Sequence, residues 1–185
     1  MIKEQIQFYA TIGTVLVSVV AILFSYFFNT KLLKQKKYED EKKQILESLF
    51  YLYGPIKQYL NKSRDLYIRF RSDKPEDFRT ILAIANGIEF SQNDKILLEE
   101  IIAIGTKIED LIITKAGLID DIKLREDYYP KFLSHTTLLR HLYNGSIKGE
   151  PDRFKDDLFP RGIEDETERR INELYQKLEV LNKLS

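Results

Sequence analysis

Twenty-one consecutive residues without a charge, Phe8 to Phe28 (FYATIGTVLVSVVAILFSYFF), constrain this chain more than any other feature. At 1.5 Å of rise per helical residue, such a run matches the roughly 30 Å hydrocarbon thickness of a bilayer. A surface helix of a soluble domain would carry a polar face along its length, and this run has none. Tyr9 and Tyr26 lie near its ends, where amphipathic rings favour the headgroup level. The sequence therefore predicts a transmembrane anchor over residues 1–30 and a separate domain over residues 31–185. A cleaved signal peptide is the competing reading. It calls for an apolar stretch of roughly 7–15 residues and then a small-residue cleavage site, whereas Asn29-Thr30-Lys31-Leu32-Leu33-Lys34 stands here.

Orientation is set by the flanks. The N-terminal side holds Lys3 cancelled by Glu4, and the C-terminal side holds Lys31, Lys34, Lys36 and Lys37, then Lys42 and Lys43. Lysine and arginine stay cytoplasmic, so the expected topology is N-terminus outside and C-terminal domain in the cytosol. The same lysines stand where anionic headgroups would attract them, at about 1 kcal/mol each. Lysine outnumbers arginine 19 to 10, the habit of an A+T-rich bacterium, and the cytoplasmic membrane of such a cell is the expected location. Within the span, Thr11, Thr14, Ser18, Ala21 and Ser25 recur at the 3-4 spacing of a helix–helix seam. Small and hydroxylated residues let membrane helices approach closely, so this face is the candidate for self-association. The competing reading has these hydroxyls bonding their own helix backbone.

Beyond the anchor, apolar residues recur at helical spacing and no strand alternation appears. One stripe runs Ile45, Leu49, Leu52, Ile56, Tyr59 (or Leu60), Leu66 and Phe70, with a kink or restart expected at Gly54-Pro55. Asp73-Lys74-Pro75-Glu76 and Ser91-Gln92-Asn93-Asp94 both read as helix starts. The second opens a stripe of Leu97, Ile101, Ile104, Ile108 and Leu111. Another helix is expected from Tyr128-Tyr129-Pro130 to Asn144-Gly145, then a loop over residues 146–162. A last helix carries Ile171, Leu174, Leu178 and Leu181. The fold class is all-α: one anchor and then a bundle of about four or five helices.

Residues that could carry chemistry are few. Acidic and basic residues balance at 29 each, against the basic excess that broad nucleic-acid binding needs. With no cysteine, disulfides, thiol catalysis and thiolate metal sites are excluded. His135 and His141, six residues apart on one helix, point to different faces and make no joint metal ligand pair. The acid pairs Glu99-Glu100, Glu109-Asp110, Asp120-Asp121 and Asp156-Asp157 read as solvated faces and helix ends, because adjacent helical residues do not face each other. No phosphate-cradling glycine loop is present. Tyr51, Tyr53, Tyr59 and Tyr67 among Lys57, Lys62, Arg64, Arg69 and Arg71 could suggest stacking on nucleic acid. The stronger reading places tyrosine bodies at a bundle edge with their hydroxyls in water. No cofactor or metal is expected.

The order of anchor, lysine-rich exit and a helix bearing Leu52-Tyr53-Gly54-Pro55-Ile56, with Leu118-Ile119-Asp120 and Leu139-Arg140-His141 later, resembles a broad group of small bacterial single-pass membrane proteins. The resemblance implies a cytosolic helical domain on a single anchor. Some members are similar to accessory proteins of phage defence or mobile elements. The sequence thus points to a non-enzymatic interaction module that self-associates in the bilayer and presents its bundle to a protein partner. The alternative is a membrane-perturbing effector of defence or toxin type, acting through an oligomerised anchor.

Overall fold

A computed structural model describes the backbone of residues 2–184 and the side chains of Gln5 and residues 13–183. The chain is all-helical, with no strand among the described residues. Its helices are α1 (Ile2–Ser48), α2 (Gly54–Arg71), α3 (Thr80–Ala85), α4 (Gln92–Thr114), α5 (Tyr129–Tyr143) and α6 (Ile163–Leu184). Two compact units result: Met1–Lys43 with Val180–Ser185, and Gln44–Glu179.

In the first unit every residue from Gly13 to Asn29 is exposed, and this stretch belongs to a helix long and apolar enough to cross a membrane. Lys42 Nζ donates to Asn182 Oδ1 at 2.6 Å, joining α1 to the end of α6.

The second unit has a true core. Ile45, Leu49, Leu52, Ile56, Leu60 and Phe70 are buried, so Leu60 takes the place left open between Tyr59 and Leu60, while Leu66 stays half-exposed. The α2 helix packs on α4, α4 on α5, and α3 on α5. On α4 the buried set is Leu98, Ile104, Gly105, Ile108 and Ile112, displaced from the expected stripe because Gly105 becomes the point of closest approach. A Cβ added there would lie 2.9 Å from Thr136 Cγ2 of α5.

At Gly54-Pro55 the helical backbone continues without a break, and a π-helical turn, Leu49–Tyr53, precedes it. Proline supplies no N–H and its ring crowds the carbonyl four residues back. Widening the turn resolves this, with Gly54 N–H bonding Leu49 O. A side chain at Gly54 would bring Cβ within 2.6 Å of that oxygen. The same device precedes Pro130, where Leu124–Tyr128 form a π turn and Tyr129 N–H bonds Leu124 O. That helical segment begins earlier than the sequence suggests, because Asp121 Oδ1 accepts the Leu124 N–H at 2.8 Å.

Two further expectations are corrected. Asp73 starts no helix; α3 begins at Thr80. Lys74 ends α2 instead, donating to the Phe70 carbonyl at 2.6 Å, pairing with Asp73 and Asp94, and lying 4.3 Å over the Phe70 ring. The 146–162 loop holds a short 3-10 turn, Pro151–Phe154, whose Phe154 is buried with Ile81, Leu139 and Leu142. The Ser91 cap is present, accepting Asp94 N–H at 3.1 Å.

Candidate functional site

The second unit holds a half-open cavity of about 980 Å³ lined by α2, α3, α4, α5, the first turn of α6 and the loops before α3 and α6. Ligand sites occupy roughly 300–1,000 Å³ and combine apolar walls with a few convergent polar groups. Here the buried walls are Leu60, Ile81, Leu98, Phe132 and Leu139, and exposed Arg64, Glu76, Asp77, Phe159 and Arg161 mark the mouth. His135 lines the cavity with its ring edge-on to Phe159, centroids 5.6 Å apart. Its Nδ1 lies 2.8 Å from the Asp157 carbonyl, which can only accept, so Nδ1 carries the proton. Burial lowers the His135 pKa and keeps the ring neutral.

Tyrosines delivered by the two π turns meet in a separate polar cluster. Tyr53 and Tyr129 are both almost wholly buried. Tyr53 donates to Asp120 Oδ1 at 2.9 Å, whereas the Tyr129 hydroxyl lies near Thr167 without completing a hydrogen bond. Burial pushes both phenols well above their ordinary value, and the neighbouring Asp120 adds to this for Tyr53. Asp120 also takes two bonds from buried Arg170, one from Nε at 3.1 Å. Arg169 reaches Asp121 at 2.6 Å, Glu166 and Glu173, and Lys123 reaches Glu166 at 2.9 Å.

Burial alone would raise the Asp121 carboxyl, but the Leu124 amide and Arg169 hold it below its usual range. Burial likewise opposes ionisation of Glu166 and Glu173, and their cationic partners overturn it. Each of these charges has a counterion. The arrangement fastens α6 to the α4–α5 connection, and its carboxylates are occupied by structural pairing.

The acid pairs are therefore not simply solvated. Asp120-Asp121 bind two arginines from α6, and Glu109 takes Arg140 at 2.9 Å. Glu99 accepts from Tyr143 and Glu100 pairs with Lys62, and Asp157 accepts from Ser134 at 2.6 Å. Nor do the tyrosines form one stacking face: Tyr53 is in the core, while Tyr51 is exposed. No group of three or more metal-ligating side chains occurs among the described residues.

Of the seam residues, Thr11 lies outside the described side chains. Thr14, Ser18, Ala21 and Ser25 are exposed. Ser18 Oγ donates to the Thr14 carbonyl at 2.9 Å, so its hydroxyl is satisfied within its own helix. Ala21 and Ser25 share a shallow apolar groove with Val17, Phe24 and Phe28. Lys31, Lys34, Lys36 and Lys37 are exposed. No local sequence signal marks the cavity, because its walls come from five helices and from Arg79 and Arg161 in the loops between them.

Comparison with protein-family models, curated proteins and solved structures returns no match.

Proposed function

We propose that the chain is a membrane-anchored, non-enzymatic helical module: α1 spans a bacterial cytoplasmic membrane, self-associates, and the helical domain meets a protein partner in the cytosol. One observation carries this reading. Residues 13–29 are exposed throughout, with Leu16, Val17, Ile22, Leu23, Phe24 and Phe27 each at least 60% accessible. A water-facing apolar surface of that extent is rare on soluble proteins, whose largest patches are about 300–600 Å², whereas lipid removes the penalty. The lysines from Lys31 to Lys37 support the cytosolic placement of the helical domain.

Self-association rests on the Thr14–Ser25 face. Because Ser18 bonds its own helix, close packing over Ala21 and Ser25 supplies the contact rather than an interhelical hydrogen bond. Replacing Ala21 and Ser25 with leucine in a membrane two-hybrid assay should reduce the self-association signal several-fold; an unchanged signal removes self-association from the reading. Crosslinking in native membranes should capture a homo-oligomer or a stoichiometric partner, and a lone monomer contradicts the module.

A further inference from the structure

We propose that the cavity of the second unit binds a single-tailed aliphatic amphiphile with an anionic head, a carboxylate or phosphate of fatty-acid type. This goes beyond the anchor reading and does not rest on it. The cavity's volume of about 980 Å³ lies at the upper end of ligand sites. The apolar part of its wall combines leucine and isoleucine side chains of α2, α3, α4 and α5 with the rings of Tyr67, Phe132 and Phe159, a surface that accommodates an alkyl chain.

The polar groups at the mouth decide the head. Arg64, Arg71, Arg79 and Arg161 face Glu76, Asp77 and Glu164, an excess of one positive charge. Arg64 is engaged with Glu164 at 2.8 Å. Among the described residues, Arg71 bonds the Glu76 backbone carbonyl and Arg79 the Phe78 carbonyl at 2.8 Å, and neither meets a carboxylate. Arg161 has no hydrogen-bond or ion-pair partner among the described residues. Among the described residues, three guanidinium groups lining the cavity thus lack a carboxylate partner. Arginine binds carboxylate and phosphate through two parallel N–H donors, with both geometry and charge in its favour. Neutral His135 and the Ser63 and Thr136 hydroxyls add polarity without charge.

The test uses the full-length chain in a neutral maltoside detergent, titrated with carboxyl-13C-labelled dodecanoate and monitored by NMR. Saturable one-site binding is expected, tightening about fourfold per methylene from octanoate upward. Ser63→Trp places an indole in the cavity and should abolish this binding. The pair Arg79→Gln and Arg161→Gln should weaken dodecanoate at least tenfold while leaving dodecanol unchanged, with thermal unfolding by circular dichroism as the check on fold. Should Ser63→Trp fail to fold, the arginine pair decides alone. Equal dodecanoate binding by the parent chain and the arginine pair, or dodecanol bound as tightly as the acid, overturns the proposal. Adding lysophosphatidylglycerol, a single-tailed phosphate lipid, to the micelles separates the sources. Competition assigns the head to a lysolipid phosphate and its absence to a free acid, and either result is binding of the proposed class.

Discussion

Between Gly13 and Asn29 no side chain is shielded, and Phe24 and Phe27 are 73% and 72% exposed. Between Gln44 and Glu179, Leu52, Tyr53, Ile56, Phe70, Leu124 and Ile163 are completely withdrawn. Both regions are rich in the same residue types, and the difference lies in where the apolar surface goes. The domain buries it against itself, which requires a polar face on each helix and partners for every charge taken inward. The N-terminal helix has no polar face with which to do this. An apolar solvent, or another copy of the same surface, would remove the cost of that exposure.

The largest effect should come from making the N-terminal helix resemble the domain's polar faces. Val19→Arg with Leu23→Arg places two charges near the centre of the span, each costing about 2.5–3.5 kcal/mol on insertion scales. The double variant should leave the carbonate-washed membrane fraction almost entirely, and its retention there would erase the contrast.

Within the domain, Asp120→Asn removes one of the two carboxylate partners of buried Arg170, leaving Glu173 at 3.0 Å, and weakens the acceptor of Tyr53. Because the Asp120 side chain is 38% exposed, the expected loss is discounted to about 2 kcal/mol, read as a lower urea midpoint. Adding Glu173→Gln should deepen that loss by more than the sum of the single effects, since only the double variant leaves the buried Arg170 charge without a carboxylate.

Gly105→Ala should cost about 1–2 kcal/mol through its clash with Thr136. Thr136→Ser, which removes the clashing methyl, should restore most of it in a double-mutant cycle. Simple additivity would mean that α4 and α5 do not meet as described.

The smallest effect is the pH profile. His135 has a lowered pKa when folded, so below its ordinary value of 6.5 the unfolded chain binds the extra proton and stability falls. Asp121, Glu166 and Glu173 also have lowered values. Their contribution is complete above the ordinary carboxylate range and disappears as pH falls through the lower folded values. Urea midpoints from pH 8 to pH 3 should therefore decline in two stages. His135→Phe should remove the first stage and leave the second.

Helix identity was readable from the sequence wherever a single helix carried its own signal: the Ser91 cap, the positive-φ glycine Gly145 that closes α5, and the Ile45–Phe70 stripe. What the sequence hid depends on neighbours. Asp73 looks like a cap, but Lys74 reaches the Phe70 carbonyl and claims the Asp73 carboxylate. Gly54-Pro55 looks like a break, and only the freedom of a glycine under the Leu49 carbonyl lets the helix widen through it. Asp120 and Asp121 look solvated because their arginines lie about fifty residues later. The cavity was invisible for the same reason: Arg71, Arg79 and Arg161 converge only once the domain has folded.

We place the exposed apolar helix in a bilayer, and everything else proposed for the anchor depends on that placement. Membranes from cells expressing the untagged chain, washed with sodium carbonate at pH 11 and probed by mass spectrometry, test it most directly. The chain is expected in the pellet at its full 21.9 kDa. Release into the supernatant, or a pellet species shortened at its N-terminus, would contradict the placement.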